Sequence, residues 1–236
     1  MSTSQRPSGH GSELELVRLS DAPLRLVEAL YTELLQTTFP PDELEPLEAL
    51  LGALGETTDG VLAHRDGRVA GGLVYDHYVD GTVQLLAYLV VDPSARGHGL
   101  GSLLLRRGLG QSTSRLVLGE IEDPRHWPTT AVSDPAARLR FWARSGCRLL
   151  ALPYVQPSLD ATARRVRHLL LIVVPPQGNP LPEAVPGDLV GRFLREYFTA
   201  SEGSFDPDDD ELAPLLRSCD VESLRLWPLD HLEVVD

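Results

Sequence analysis

Residues 90–102 read VVDPSARGHGLGS, an apolar segment running into three glycines, Gly97, Gly99 and Gly101, ahead of the apolar run at 103–105. One glycine between a strand and a helix serves a turn that needs positive φ. Three at alternate positions leave successive backbone N–H groups uncovered at the start of a helix, where unpaired donors and the macrodipole favour an anion. The stretch reads as a phosphate-binding loop.

Register narrows the ligand. A Walker loop ends in Gly-Lys-Ser/Thr, and all 21 basic residues of this chain are arginine. A dinucleotide loop needs G-x-G-x-x-G after the first strand of a βαβ unit, whereas here the third glycine falls one position early and position 102 is Ser. The residues before the loop disagree with a parallel sheet as well. Period-2 runs at about 61–65, 68–78 and 83–92 are separated by Asp66-Gly67 and Asp80-Gly81, both hairpin signals, so these strands are expected as antiparallel neighbours.

Outward from this centre, periodicity predicts a strand at 13–19 and a helix at 22–36 stopped by Pro40-Pro41. A second amphipathic helix follows, with Asp42 as cap and Leu44, Leu47, Leu50, Leu51 and Leu54 as its buried stripe. After the glycines come a helix at 100–107, a strand at 115–122, and a helix at 134–145 with Asp134 as N-cap, Pro135 at its first position and Gly146 ending it. Strands at 148–154 and 166–174 complete a β-α-α-β-β-β-α-β-α-β-β order. Residues 176–187 are proline-rich and read as a linker, and 188–236 as a small, mainly helical C-terminal extension with helices at 188–200 and 208–218 and a strand or coil at 224–229.

Residues 1–12 carry no apolar core behind a basic start and read as a disordered leader. With 42% hydrophobic and 23% charged residues, and no apolar run near the roughly 18 that a membrane helix needs, the chain is expected to be soluble and cytoplasmic. A formal charge of −13 argues against binding nucleic acid through its phosphates and suits a cationic or amine partner. Cys147 and Cys219 lie too far apart, in surroundings too unlike, to suggest a disulfide framework or a thiolate cluster. No metal is expected. Asp123 and His126 near Glu120 and Glu122 match no sharp ligand spacing, and the acidic run at 206–211 lacks the glycine and late Glu of a calcium loop.

The pattern Arg96-x-x-Gly99-x-Gly101, preceded by an apolar strand and Asp92-Pro93, resembles the acetyl-CoA signature of the GNAT family of N-acetyltransferases. The element order over 13–175 resembles that family too, as does DPAARLRFWARSGCRLL at 134–150, which is similar to its fourth helix and following strand. The resemblance implies an α/β fold with a mixed, mostly antiparallel sheet flanked by helices. It also implies acetyl-CoA as co-substrate, its pyrophosphate wrapped by the N–H groups of Gly97, His98, Gly99, Leu100, Gly101 and Ser102. Arg96 would assist the phosphates or stay solvated. Leu89, Val90 and Val91 would offer backbone groups to the pantetheine arm, and the N–H of Val91 or a neighbour would meet the oxyanion.

Acyl transfer to an amine also needs a base and a proton for the departing thiolate. Strand alternation puts Glu120 and Glu122 on the face that carries Leu116 and Leu118, where apolar neighbours raise a carboxyl pKa; two solvent-facing acids at a strand end are the alternative. For the acid, Trp142 stands where the family commonly has tyrosine, and indole cannot protonate a thiolate. Tyr154 and Tyr88 are substitutes by type, or packed aromatics with water in the role. Glu43 and Glu45 either hold a cationic acceptor or stabilise a helix start. The function expected is acetyl transfer to a primary amine of a small molecule or peptide by direct attack on the thioester. The alternative is a catalytically degenerate acyl-CoA-binding regulatory module. The extension would cover the acceptor cleft or form a homodimer contact.

Overall fold

Two Asp-Gly pairs organise the centre of the sheet. In the computed structural model, which describes residues 13–110, 112–130, 133–160, 162–176, 179–204, 206 and 208–235, Asp66 and Gly67 both take positive φ, as do Val79, Asp80 and Gly81. This is the backbone that reverses a strand without splaying its partner. Strands β1 (Glu15–Arg18), β2 (Thr58–Arg65), β3 (Arg68–Tyr78) and β4 (Val83–Val91) are therefore successive antiparallel neighbours. The leader expected at 1–12 lies outside the described residues.

Between β1 and β2 the chain runs through α1 (Leu24–Ala29), a π-helical turn (Leu30–Leu35) and α2 (Gln36–Thr38), then α3 (Leu47–Ala53). The helix expected from Asp42 starts later: Asp42 lies in a 3-10 turn, Leu44 is extended with φ −127° and ψ 119°, and Pro46 occupies the N-cap. Proline has no N–H and drives the residue before it out of the helical region, so the leucine stripe cannot be helical through Glu45-Pro46.

The chain crosses over through α4 (Leu100–Leu109) to β5 (Leu116–Glu122), which pairs with β4 in parallel. α5 (Pro135–Arg144) follows, and the Asp134 side chain accepts from the Ala137 N–H as its cap. Two expected strands are interrupted. The first ends as β6 (Arg148–Leu150), and Val155–Gln156 (β7) pairs instead with Val166–Arg167 (β8) in a separate ribbon. His168, at φ 62°, separates β8 from β9 (Leu169–Val173).

Beyond Ala184–Pro186 (β10) come α6 (Gly187–Glu202), α7 (Leu212–Ser218) and β11 (Ser223–Pro228). β11 pairs antiparallel with β6, giving one nine-stranded sheet in the order β1-β2-β3-β4-β5-β9-β6-β11-β10. α4 and Trp142 of α5 pack on one face. On the other, Phe193, Leu194 and Phe198 of α6 share a core with Leu85, Leu118 and Leu171. Burying each of these aromatic rings contributes roughly 1.5–3 kcal/mol, which ties α6 to the sheet. Among the described residues no helix is long and apolar enough to cross a membrane.

Candidate active site

β4 and β5 pair only from Val83↔Leu116 to Leu86↔Gly119. There β4 carries a bulge: Asp76 faces Leu85 while Val74 faces Tyr88, so Leu86 and Ala87 together oppose Tyr75. A bulge bends its strand, and β4 turns away while β5 continues along β9 to Glu122↔Leu169. From Ala87 to Val91 no strand among the described residues meets β4 on its β5 side, so backbone donors and acceptors there stand open to a ligand.

At the end of β4 lies the glycine loop. Gly97 and Gly99 sit at φ 81° and 80°, and a Cβ on either would point into open space. Glycine is needed at both for the left-handed backbone. Gly101 differs, since it is helical and a Cβ there would meet Val91 and Phe141 at ordinary distances of 3.7 and 3.8 Å. The first helical bond of α4 runs from the Leu103 N–H to Gly99 O, so the N–H groups of Leu100, Gly101 and Ser102 have no partner within the helix. Gly97, His98 and Gly99 are exposed beside them, Ser102 is half-buried, and Arg96 turns back to donate to Val91 O at 3.1 Å. Open amides at a helix start beside two exposed glycines fit a pyrophosphate.

Two cavities meet at the split. The smaller, about 140 Å³, runs along Leu89 of β4 to Phe141 and Trp142 of α5 and includes Glu43. The larger, about 300 Å³, lies on the α6 side and is lined by Glu45, Asp76, Glu120 and Glu196 together with Tyr78, Tyr88 and Tyr197. Ala87, Glu120 and Gln156 belong to both.

Glu120 accepts from Tyr154 Oη on one carboxylate oxygen, and on the other from Gln156 Nε2 at 2.9 Å and Tyr197 Oη at 3.4 Å. Burial pushes its pKa up against these three bonds, and Asp76 adds to the rise. Burial and Asp76 lift Glu45 to about 8, and burial lifts Asp76 to about 6 against a hydrogen bond from Thr58. Glu43 is lifted to about 7, by burial first and then by Glu122.

The two strand-end acids part here. Glu122 is buried and committed, with Arg138 Nη1 and Ser133 Oγ each 2.7 Å from its Oε2. Tyr154 is likewise engaged, its hydroxyl on Glu120 and its ring in the apolar core. Tyr88 lines the larger cavity; its oxygen accepts from the Glu45 N–H at 3.0 Å, and no acceptor among the described residues takes its proton. Trp142 is buried edge-on to Phe141, their centroids 5.2 Å apart. Among the described residues no group of three or more His, Cys, Asp or Glu is placed to hold a metal ion.

Residues 27–125, which contain the β4–β5 split and the glycine loop, match the model of the Acetyltransferase (GNAT) family. This is a GNAT-family domain. No curated protein matches the chain. Among solved structures, one from Bacteroides thetaiotaomicron assigned to the GNAT family superposes with a TM-score of 0.52 at 20% identity, covering 69% of this chain and 86% of that one. An aminoglycoside 6'-acetyltransferase type Ii superposes with a TM-score of 0.50 at 17% identity, covering 70% and 99%. At these identities the likeness shows the GNAT fold, with the mixed, mostly antiparallel sheet that the resemblance implied.

Sequence reasoning did not single out Asp76, Gln156, Glu196 or Tyr197. Asp76 had a signal: it interrupts an apolar strand, where a buried carboxylate is costly. Glu196 and Tyr197 had none, because they lie outside the matched GNAT segment on α6 and reach the site only through tertiary packing.

Proposed function

We propose that this chain is an acetyl-CoA-dependent N-acetyltransferase whose acceptor amine approaches from the larger cavity. The observation that carries the reading is Glu120, a half-buried carboxylate with a raised pKa at the junction of the two cavities. Acetyl-CoA, when bound, supplies the thioester whose carbonyl carbon joins the amine nitrogen as the C–S bond breaks and the thiol departs. The N–H groups around Gly97 to Ser102 hold the pyrophosphate, and the backbone of Leu89, Val90 and Val91 lines the way to the split.

Glu120 takes a proton from the incoming ammonium, directly or through water, and so frees the nitrogen lone pair. Tyr154, Gln156 and Tyr197 orient that carboxylate and act through it. Glu122 anchors α5 through Arg138. The proton for the leaving sulfur is assigned to Tyr88, the cavity tyrosine whose hydroxyl proton has no described acceptor, and the second proton, shed by the nitrogen as the amide forms, restores that hydroxyl. A cytoplasmic setting, where acetyl-CoA is supplied, accords with this activity.

Free-thiol release with a panel of amines tests the reaction, and calorimetry with acetyl-CoA on Gly99→Asp and Gly101→Asp tests the loop, since a carboxylate there repels the phosphates. Unchanged affinity in both variants removes the loop's role. Trp142 in place of tyrosine favours one other reading, an acyl-CoA-binding regulatory module. Tight CoA binding with no amine raising thiol release above water would establish that module instead.

A further inference from the structure

The larger cavity holds more carboxyl groups than one reacting ammonium needs. Glu45, Asp76 and Glu196 line it besides Glu120, and its described lining contains no arginine. Its one histidine, His77, has its pKa lowered by burial, which favours the neutral ring. The protein satisfies these carboxylates only in part. Asp76 Oδ1 accepts from Thr58 and Glu196 Oε2 accepts from the Val79 N–H at 2.8 Å. Neither side-chain oxygen of Glu45 has a donor among the described residues.

Gln156 is an independent pointer to a donor-rich ligand. It is only 6% exposed, and its Nε2 is held on Glu120, which turns Oε1 away from that carboxylate. That Oε1 has no hydrogen-bond partner. A buried carbonyl left unpaired costs roughly 1–3 kcal/mol, and an ammonium N–H would satisfy it. Tyr78, Tyr88 and Tyr197 line the cavity among the acids, and aromatic rings attract an alkylammonium group.

We infer that the acceptor is a short aliphatic diammonium compound, one nitrogen placed at Glu120 and Gln156 and the second held by Glu45, Asp76 and Glu196. The inference rests on the acetyltransferase reading and names the acceptor of the same site. A cavity of about 300 Å³ is at the small end for ligand pockets and suits a chain of several methylenes. Leu159 adds to its lining from a segment pinned by the Arg164 N–H on Asp42 at 3.2 Å and by Arg165 on Glu202 at 2.7 Å. Burial raises the pKa of both Glu45 and Asp76, and Asp76 adds to the rise at Glu45. A second ammonium would let them ionise.

Calorimetry with 1,4-diaminobutane and n-butylamine, in the absence of acetyl-CoA, tests the inference. The diamine should bind at least ~10-fold more tightly, the scale of one charge-assisted contact. Asp76→Asn and Glu196→Gln should each shrink that ratio, with butylamine affinity, acetyl-CoA affinity and the thermal melt retained as evidence of an intact fold. Equal affinity for the two amines, or a ratio that survives the double variant, overturns it. A deoxystreptamine aminoglycoside binding more tightly than the diamine would overturn the short aliphatic chain. Failure of the acetyltransferase reading is visible separately: acetyl-CoA would not bind, or thiol release would not respond to any amine, whatever the diamine does.

Discussion

Gly99 and Gly101 look equivalent in the sequence and should respond oppositely to alanine. At Gly99 the φ of 80° is the whole constraint, because a Cβ would meet nothing within 4 Å. Placing an L side chain in that conformation costs about 1–2 kcal/mol. At Gly101 the backbone is helical and the added methyl makes ordinary contact at 3.7 Å, so alanine should be neutral or stabilise by up to ~1 kcal/mol through reduced backbone entropy. Urea unfolding should therefore separate the two variants by about 1–3 kcal/mol, with Gly99→Ala the less stable. Calorimetry with acetyl-CoA should show Gly101→Ala near wild type. Gly99→Ala should bind about 10-fold or more weakly, because relieving the strain at φ 80° shifts the backbone that presents the open amides and loses a charge-assisted bond. Equal stability of the two variants would refute the account of the loop backbone. Wild-type affinity in Gly99→Ala would refute the amides as the phosphate site.

Glu120→Gln should lower amine-dependent thiol release by about 10²–10⁴-fold, the usual worth of a general base, with acetyl-CoA affinity retained; a smaller loss would assign the base elsewhere. Tyr154→Phe removes a hydrogen bond that lowers the Glu120 pKa, so the rising limb of the pH–rate profile should move to higher pH, and an unmoved limb would show that Tyr154 does not act through Glu120. The Glu45 carboxyl rises from 4.5 to about 8 on folding, so over that range the folded chain binds the extra proton and stability falls as pH rises. Glu45→Gln should accordingly raise Tm relative to wild type at pH 9 and make little difference at pH 4; the reverse order would contradict the burial of this group. Phe193→Ala, at a fully buried position on α6, should cost about 3–5 kcal/mol, and a loss below 1 kcal/mol in urea would show that α6 is not part of the sheet's core.

What could be read early was local. Asp66-Gly67, the glycines at 97 and 99, and the Asp134-Pro135 cap each dictate the conformation of the few residues around them, and each adopts that conformation here. Pro46 was equally local, and its effect was hidden because the leucine stripe continues through it on paper while the backbone cannot. Of the two strand-end acids, alternation alone could not choose between Glu120 and Glu122. Their partners do: Glu122 meets Arg138 sixteen positions on, whereas Glu120 meets Tyr154, Gln156 and Tyr197 at separations of 34, 36 and 77.

The sequence by itself therefore determined the strand order around the hairpins, the left-handed glycine loop and its place between β4 and α4, since φ preferences and unpaired amides are properties of a few adjacent residues. Tertiary structure alone decided which carboxylate is paired with an arginine and which acids share a cavity. It brought Glu196 within 2.8 Å of Val79 across 117 residues, because a pKa and a charge environment depend on what burial places nearby, and no local pattern records that.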